Sequence, residues 1–383
     1  MHIVIAPDSF KESLTAMEAA QAMAEGFLEI FPDADCRCVP MADGGEGTVQ
    51  AIISGTGGRL VELEVTGPLG APVKAFFGLS GDGNTAIIEM AAASGLALVP
   101  PAQRNPLHTT SRGTGELMLK ALDMGAKHLI LGLGGSATND AGVGMLTALG
   151  VRFTDANGQE IELSGGGLEQ LAHIDASNLD PRPRHTIIDV ACDVTNPLCG
   201  PRGASAVFGP QKGATPEMVT QLDANLAHFA KLTKTFLPGN DCADMADFPG
   251  AGAAGGMGGA FRAYLHGAIR PGCEIVAEAV GLDAAIAQCD LVITGEGRMD
   301  SQTLSGKTPL GVARVARKHG KPVIGIAGCL GPGVEVLHNE GFAALFSATQ
   351  RPAPIEKILA SGRQNVRQAA RAVAATLQLG RTA

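Results

Sequence analysis

The sequence predicts an α/β protein in which two distant segments share one parallel sheet and a second α/β domain is inserted between them. Both ends of the chain alternate short apolar runs with glycine-rich loops and amphipathic stretches, an order that gives right-handed crossovers and parallel strands. Neither end has enough strands to bury both faces of a sheet by itself. The middle of the chain contains apolar runs of its own, so we expect the two ends to combine around it.

The N-terminal segment opens with a strand at residues 2–6, HIVIA. Thr15 and Glu18 have the spacing of a capping box, which predicts a helix to about Phe31, and Pro32 ends that helix. The other predicted elements here are a strand at 36–40, a short helix near 47–54, and longer, more antiparallel strands at 61–67 and 73–79.

The C-terminal segment repeats this order and completes the sheet. Its predicted elements are strands at 291–294, 322–328 and 343–348, and helices at about 309–319, 333–340 and 355–378. Pooled with the N-terminal strands, they form one Rossmann-like layer of five or more strands. We therefore expect a discontinuous domain of residues 1–70 plus 285–383 and an inserted domain of residues 71–284. The inserted domain has its own strands at 85–90, 128–133 and 186–192.

Length and composition exclude several classes of protein. A chain of 383 residues is long for a single core, which favours two domains. The net charge is −9 and no run is rich in Lys or Arg, so a nucleic-acid partner is not expected. The N-terminus lacks a signal-peptide pattern, and no apolar run is long enough to span a membrane. The 8 cysteines lack paired CxxC spacing, which predicts free thiols in a cytoplasmic protein.

The stretch from 290 to 316 runs an apolar strand into a glycine-rich loop and then a helix. It contains Gly306-Lys307-Thr308, the end of a phosphate-binding P-loop, but Ser301 stands where that motif requires its first glycine. The P-loop interpretation therefore fails. Ligands nevertheless bind at the carboxyl ends of parallel strands, and a lysine near helix amides suits phosphate. The candidate residues that remain here are Gly295, Glu296, Gly297, Asp300 and Lys307.

Two further strand ends carry acids beside small residues. The first has Asp8, Ser9 and Lys11, which could hold a metal, take a proton or meet an anion, although Asp8 and Ser9 are also common turn formers. The second has two carboxylates separated by glycines, so both can approach a metal ion closely. Its residues are Asp43, Gly44, Gly45 and Glu46. In a discontinuous parallel sheet, the strand ends at 8, 43 and 296–300 are expected to line one edge.

The loop after the strand at 128–133 allows two interpretations. Gly132 begins a G-x-G-x-x-A pattern, and Asp155 follows about 20 residues later, as in a dinucleotide-binding fingerprint. This pattern would suit a NAD(P)-dependent hydroxy-acid dehydrogenase. The loop also contains Ser136, Asn139 and Asp140, polar residues that a pyrophosphate turn does not require. A cradle for a phosphate or a hydroxy acid fits at least as well.

A last group of charged residues surrounds the strand at 186–192. Asp189 and Asp193 are four residues apart, which places both on one face of a strand, and Asp193 at the strand end is the better functional candidate. Lys212 lies between glycines further along. The chain has no G-x-S-x-G elbow, and its histidines lack metal-ligand spacing. Acids and lysines in glycine-rich loops suit phosphoryl transfer, in which carboxylates hold Mg²⁺ and lysines neutralise phosphate.

Six motifs in the same order resemble the type-1 glycerate kinases, and together they span nearly the whole chain. They are APDSFKESL (6–14), PMADGGEGT (40–48), GLGGSATNDAG (132–142), DVTNPLCGPRGA (193–204), VFGPQKGA (207–214) and DLVITGEGRMDSQTLSGKTPLGVA (290–313). The resemblance implies a flavodoxin-like discontinuous domain with an inserted α/β domain. It also implies phosphorylation of D-glycerate by ATP with Mg²⁺ in organic-acid degradation, with 2-phosphoglycerate as the product in bacterial members. Glu12 and Ala141 depart from it, because many relatives have Gly at these positions.

From this resemblance we predict an active site in a cleft between the two domains. Asp193 or Asp43 is the expected general base, and Lys11 or Arg202 is expected to meet the substrate carboxylate. The predicted catalytic residues are Asp193, Asp43 and Lys11. The predicted substrate- and nucleotide-binding residues are Asp8, Ser9, Gly44, Gly45, Ser136, Asn139, Asn196, Arg202, Gln211, Lys212, Gly295, Gly297 and Lys307. The predicted metal ligands are Glu46, Asp140, Glu296 and Asp300.

Two alternatives stay open beside this prediction. Glycerate 3-kinase regiochemistry would keep the substrates and change the hydroxyl that is phosphorylated. A non-catalytic two-domain protein could clamp a small acid, although such proteins are usually exported and need fewer acids at the strand ends. The expected partners are D-glycerate and ATP, with no nucleic acid and no membrane, and a homo-oligomer stays open.

Overall fold

A computed structural model describes residues 1–237, 245–304 and 307–382, so Gly306 of the tripeptide at 306–308 lies outside the described residues. In chain order, the strands are β1 (His2–Ile5), β2 (Asp35–Cys38), β3 (Arg59–Thr66), β4 (Pro72–Leu79), β5 (Thr85–Glu89), β6 (His128–Gly132), β7 (Arg152–Thr154), β8 (His173–Asp175), β9 (Ile187–Ala191), β10 (Ala268–Arg270), β11 (Leu291–Thr294), β12 (Arg298–Met299), β13 (Val323–Ala327), β14 (Cys329–Leu330) and β15 (Phe342–Ser347).

The α-helices alternate with these strands along most of the chain. They are α1 (Ala16–Leu28), α2 (Thr48–Thr56), α3 (Ala91–Ser94), α4 (Arg112–Asp123), α5 (Val143–Ala148), α6 (Ala204–Phe208), α7 (Pro216–Phe236), α8 (Ala253–Leu265), α9 (Gly272–Ala279), α10 (Leu282–Ala287), α11 (Thr308–Lys318), α12 (Ile355–Ala360) and α13 (Gly362–Thr382). Among the described residues, no helix is long and apolar enough to cross a membrane.

The chain divides into two compact units. Unit 1 consists of Met1–Asp43, Gln50–Gly57 and Cys273–Ala383, and unit 2 consists of Gly44–Val49 and Gly58–Gly272. The divisions at 57 and 273 differ from the predicted boundaries at 70 and 285. The first differs because β3 pairs along its whole length with β4 of unit 2. The second differs because α9 packs within unit 1, where a Cβ built on Gly311 would lie 3.1 Å from the Cys273 sulfur.

Unit 1 is built on a parallel sheet with the strand order β15-β13-β11-β1-β2. All four pairings are parallel, so the predicted five-stranded sheet made from both chain ends is confirmed. The central strands β11 and β13 are buried along their whole length, as expected for a parallel sheet, and Ile5, Ile293 and Ile326 are fully buried. The predicted capping box is also confirmed, since Thr15 and Glu18 exchange hydrogen bonds at the start of α1.

Unit 2 contains a mixed sheet with the strand order β10-β9-β6-β5-β4-β3. The pairs β3–β4 and β4–β5 are antiparallel, as the longer alternating strands predict, and the other pairs are parallel. Phe77, Leu129 and Phe229 lie in its core and are fully buried. The ends of β5, β6 and β9 are therefore neighbours at one edge of this sheet.

Two predicted helices take a different form. The helix expected at 355–378 is divided into α12 and α13, and residues 334–340 form a 3₁₀-helix. The division between α12 and α13 has a packing cause, because Ser13 Oγ donates a hydrogen bond to the Leu359 carbonyl. A Cβ built on Gly362 would lie 2.0 Å from Ser13 Oγ, so only glycine allows this close approach.

Glu12 and Ala141 have left-handed backbone conformations, with φ of 63° and 53°. Residues other than glycine are strained in this conformation, which explains why glycine suits both positions. Glu12 is the exposed residue of the two and lies in the tight turn in which Phe10 accepts the Ser13 amide.

We expect Glu12→Gly to stabilise the protein by about 0.5–1 kcal/mol. Relief of roughly 1–2 kcal/mol of left-handed strain is larger than the entropy cost of the added glycine. The measurement is the thermal and urea midpoint of the variant against the wild type. The control is Glu62→Gly on β3, where the backbone is extended and glycine is expected to destabilise. If the two substitutions change the stability equally, the left-handed backbone at Glu12 is not strained.

Candidate active site

The carboxyl ends of β11, β1 and β2 lie side by side in unit 1, because these strands are neighbours in its parallel sheet. The predicted alignment of the three acidic strand ends along one edge is confirmed by this order. β1 continues into Asp8, β2 into Asp43 and β11 into Glu296. Asp43 raises the pKa of Asp8, and Asp8 raises the pKa of Glu296, so the three carboxylates interact electrostatically.

Asp8 is held in place by hydrogen bonds to both carboxylate oxygens. The Ser9 amide donates to Oδ1 (2.6 Å), and Thr308 Oγ1 donates to Oδ2 (2.7 Å). Its own amide donates to the Gly295 carbonyl, which ties the end of β1 to the end of β11. Desolvation by burial raises the pKa of Asp8 to about 6, and the nearby Asp43 adds to this increase. Asp8 is therefore a fixed carboxylate in surroundings that disfavour its charge.

Glu296 is buried, with 9 % of its surface exposed. Thr303 Oγ1 donates to its Oε1 (2.9 Å), and Lys307 Nζ lies 3.6 Å from its Oε2. Burial raises its pKa to about 7, and Lys307 and Thr303 reduce this increase. Lys307 is the residue before the first turn of α11. Its ammonium group and the Glu296 carboxylate therefore form an ion pair beside the start of this helix.

The remaining predicted residues of unit 1 differ in their surroundings. Lys11 is exposed on the turn after β1. Asp300 accepts a hydrogen bond from the Gln302 amide on one oxygen and from Arg298 Nε on the other, both at 2.9 Å. The Gln302 amide is the largest of the effects that lower its pKa. Gly295 has a packing reason to be glycine, since a Cβ there would lie 1.9 Å from the Ile326 carbonyl oxygen. Gly297 has no such close neighbour.

The chemistry of these donors fits a magnesium ion that is shared with a substrate. Within the described parts of the chain, no group of three His, Cys, Asp or Glu residues could hold a metal ion together. Mg²⁺ usually takes only one or two carboxylates and completes its coordination with water and substrate phosphates. Asp8, Asp43 and Glu296 offer such carboxylates, and their mutual repulsion favours a cation. The oxygens of Asp300 already accept hydrogen bonds.

Glu89, at the end of β5 in unit 2, is a buried acid that the sequence interpretation missed. Its Oε1 accepts a hydrogen bond from the Val49 amide (2.9 Å). Burial raises its pKa, and the amides of Val49, Gly47 and Thr48 reduce this increase. The carboxylate occupies the N-terminus of α2, where exposed helix amides attract anions. The sequence feature that could have indicated Glu89 is its position as an acid at the end of a largely apolar strand, TAIIE.

Segment 44–49 packs closely on the ends of β6 and β9 within unit 2. Gly44 has a φ of 91°, and a Cβ there would lie 2.6 Å from the Ala191 Cβ. A Cβ on Gly132 would lie 2.4 Å from the Gly44 carbonyl oxygen. These contacts require glycine at Gly44 for packing, and they hold Gly45 and the exposed Glu46 beside the same edge.

The dinucleotide-binding interpretation of residues 132–155 is contradicted by the structure. That fingerprint needs a helix to begin directly after the glycines, whereas α5 begins at Val143. Asp155 belongs to a turn after β7, where its Oδ1 accepts the amides of Asn157 and Gln159. β7 pairs with β8 in a small antiparallel sheet, separate from the parallel strands. Asp155 is therefore absent from the parallel strand end at which a ribose would bind.

Three predicted site residues of unit 2 are buried: Asn139 and Asp140 within the loop after β6, and Lys212 beneath it. Asp140 is fully buried and accepts hydrogen bonds from Ser111 Oγ (2.7 Å), the Ser111 amide (2.9 Å) and the Gly142 amide (3.1 Å). Lys212 is 2 % exposed, and its Nζ donates to the Thr138 carbonyl (2.6 Å). Asn139 Nδ2 donates to Ser205 Oγ. These contacts join the loop to its surroundings and leave Ser136, 8 % exposed, near its surface.

The loop after β9 presents the other predicted residues of unit 2. Asp193 lies beyond the end of β9, and its Oδ1 accepts the Gly272 amide (3.1 Å). Asp189 Oδ2 lies 2.9 Å from His128 Nε2, and its Oδ1 forms an ion pair with Arg270 (3.5 Å), so it has structural partners. Asn196 donates to the Arg202 carbonyl (2.8 Å), which folds the loop back on itself. The side chains of Arg202 and Gln211 are exposed.

A family model described as the glycerate kinase family matches residues 3–378, nearly the whole chain. The chain belongs to the glycerate kinase family. It is 56% identical to Glycerate 2-kinase from Escherichia coli K12, with 99% of each chain covered. It is 54% identical to Glycerate kinase from Bacillus subtilis 168, with 100% of this chain and 99% of that one covered.

A solved structure has the same fold along the complete chain. It is the crystal structure of a protein from Salmonella typhimurium LT2 provisionally called glycerate kinase 2. The sequence identity is 56%, the TM-score is 0.92, and 100% of each chain is covered. Membership of the glycerate kinase family makes the chain an enzyme, and the resemblance of its six motifs to this family is confirmed. The individual site roles and the cleft between the domains stay predictions.

We expect the stability of this glycerate kinase to fall as the pH rises from about 4.5 to about 7, because of Glu296. Its pKa in the folded state is about 7 against an ordinary 4.5, so its stabilising contribution is complete below pH 4.5 and is lost as the carboxyl ionises. The pKa difference corresponds to a loss of about 3 kcal/mol. Glu296→Gln should therefore be more stable than the wild type at pH 8, with a smaller difference at pH 5.

Urea denaturation at the two pH values, without metal or nucleotide, measures this effect. Glu356→Gln on α12 is the control, because Glu356 is exposed and a change there should not alter the pH dependence. A Glu296→Gln variant no more stable than the wild type at pH 8 would contradict the cost of ionising Glu296.

We expect Glu89→Ala to destabilise the enzyme by about 1–3 kcal/mol, because it leaves buried amides at the start of α2 without an acceptor. Glu89→Gln keeps an oxygen acceptor and should lose less. Urea midpoints of both variants measure the effect. If Glu89→Ala is as stable as the wild type, these amides find another acceptor and the proposed role of Glu89 is wrong.

Proposed function

We propose that this enzyme transfers the γ-phosphoryl group of ATP, with Mg²⁺, to the 2-hydroxyl of D-glycerate and forms 2-phosphoglycerate and ADP. The regiochemistry rests on the relative from Escherichia coli, which is named a 2-kinase and is 56% identical over nearly the whole of both chains. The place of the reaction in organic-acid degradation follows from the motif resemblance.

The single observation that carries the proposal is the group of carboxylates and one lysine at the sheet edge of unit 1. Phosphoryl transfer depends mainly on positioning and on neutralising the charge of the phosphates. Asp8 and Glu296 are fixed by hydrogen bonds, and Lys307 brings a cation to Glu296. An active site for acyl transfer would need a nucleophile and a base instead.

Magnesium is assigned to Glu296, together with Asp8, which interacts with Glu296 electrostatically, and Asp43, which interacts with Asp8. When bound there, the ion would neutralise the nucleotide phosphates and the acids together. Of the other predicted ligands, Asp140 and Asp300 are supported less, because their oxygens accept hydrogen bonds from the protein. Glu46 is exposed and retains its predicted role.

Asp43 and Asp193 are the two candidates for the base that takes the proton of the glycerate hydroxyl. Each lies in the loop after a parallel strand, where substrates of α/β enzymes bind. Lys11 and Arg202 are exposed cations and are the candidates for the substrate carboxylate. Ser9, Ser136, Asn196, Gln211 and the glycines beside them complete the proposed binding loops.

A coupled assay with D-glycerate and Mg-ATP tests the activity, with ADP formation as the readout. The product is then given to enolase in the absence of phosphoglycerate mutase. Enolase accepts the 2-phosphate directly, so a signal supports the proposal. Turnover that yields enolase substrate only after addition of the mutase would replace it with 3-kinase regiochemistry. Glycerate oxidation with NAD(P) and no ADP formation would favour the dehydrogenase.

We expect Asp193→Asn or Asp43→Asn to lower kcat by about 10²–10⁴-fold if the substituted residue is the base, because the amide cannot take the hydroxyl proton. Exposed Asp175→Asn is the control and should retain turnover. Near-normal kcat in one variant excludes that residue as the base. Near-normal kcat in both variants would contradict the proposed mechanism.

A further inference from the structure

The loop after β6 is held from below by a buried ammonium group. Lys212 lies at the end of a short 3₁₀-helix (Pro210–Lys212), and its Nζ donates to the Thr138 carbonyl at 2.6 Å. Burying a charge is costly unless the charge has partners. Burial accordingly lowers the pKa of Lys212 to about 8, and the nearby Asp140 partly opposes this decrease. A lysine kept in such a position has a specific structural task.

Around Thr138, side-chain oxygens of the loop do not hold it, although Asn139 Nδ2 and the Asp140 carboxylate anchor the residues that follow. Thr138 Oγ1 and Asn139 Oδ1 are buried and have no hydrogen-bond partner in the described part of the chain. The backbone is held instead by groups from elsewhere in unit 2. Thr109 Oγ1 donates to the Ala137 carbonyl (3.0 Å), and Lys212 donates to the next carbonyl along the chain. A Cβ on Gly255 would lie 2.2 Å from the Thr138 oxygen, so the packing is tight there.

The exposed tip of the loop presents amides that the protein itself does not use. Within the described residues, the amides of Gly134, Gly135 and Ser136 make no hydrogen bond. Gly134 and Gly135 are exposed, and Gly135 has a left-handed φ of 74°. The Gly135 carbonyl is fixed by the Leu96 amide (2.8 Å). Successive amides around a left-handed residue form a concave site that binds anions.

We propose that Lys212 is a positioning residue that, through the Thr138 carbonyl, fixes the loop so that the Gly134–Ser136 amides bind an anionic group of a substrate. The predicted direct contact of Lys212 with the substrate is replaced by this indirect action. The inference rests on the proposed function only for the identity of the substrates. The carboxylate of D-glycerate and a phosphate of ATP share the required anionic oxygens, and the experiment distinguishes them.

The first experiment uses the wild-type protein and measures hydrogen exchange of the peptide that contains residues 134–136. One arm adds D-glycerate alone, and the other adds Mg-ADP alone. Slower exchange in one arm supports the proposal and identifies the anion. Unchanged exchange in both arms overturns it. Turnover with Mg-ATP and D-glycerate is measured separately, so a failure of the proposed function is distinguished from a failure of the amide site.

The second experiment compares Lys212→Met with Lys74→Met, whose lysine is exposed on β4. For Lys212→Met we expect a rise of about tenfold or more in KM for the substrate that protects the amides, with kcat within about threefold, as for lost ground-state binding. A loss of about 100-fold in kcat at unchanged KM would overturn the proposal, because it indicates direct action on the transferred phosphoryl group. Unchanged KM and kcat would overturn it in favour of a purely structural role.

Lys212→Gln provides a second variant in case Lys212→Met does not fold. Its shorter side chain keeps a donor without the charge, and we expect a smaller rise in the same KM. An unchanged KM in a folded Lys212→Gln variant, combined with unprotected amides in the wild type, would also overturn the proposal. Lys74→Met should match the wild type in both kinetic constants.

Discussion

The parallel pairing of β1 with β11 is the constraint on which the candidate site of unit 1 depends. Ile5 is paired with Ile293, and Asp8 and Glu296 follow these two residues at the same interval. The register therefore places two acids from opposite ends of the chain at one sheet edge. β2 pairs on the other side of β1 and brings Asp43 to the same edge. A shift of this register would separate the acids, so the sheet core and the site cannot vary independently.

This arrangement makes the site costly for the folded protein. Burial and mutual repulsion raise the pKa of Asp8 to about 6 and that of Glu296 to about 7, so the folded state disfavours the charged forms. Active sites often retain such destabilising groups, because their function requires them. The same carboxylates become favourable beside a cation, and this is the physical reason to connect them with magnesium and phosphate. Lys307 supplies part of that positive charge within the protein.

Buried charges have a different task in unit 2. Glu89, Asp140 and Lys212 each contact backbone groups of neighbouring segments, namely the amides of Val49 and Ser111 and the Thr138 carbonyl. Their hydrogen bonds replace those that the loop backbone would otherwise make with water, so each loop has a defined shape. Exposed residues of unit 2, such as Asp193 and Glu46, are the candidates for contact with substrates. A charged residue in a glycine-rich loop is therefore expected to hold backbone in place when it is buried and to be a candidate for substrate contact when it is exposed.

The sequence by itself determined the α/β class, the sheet shared by the two chain ends and the acids at three of its strand ends, because period, strand order and parallel crossovers depend on local pattern. The motifs alone also indicate the family. Tertiary structure alone decided which polar residues point inward. Lys212 and Asp140 are as polar in the sequence as Lys11 and Asp43, but packing buries the first pair. It also revealed Glu89, whose partners are 40 residues away along the chain. Burial and hydrogen-bond partners depend on distant segments, so local pattern could not give them.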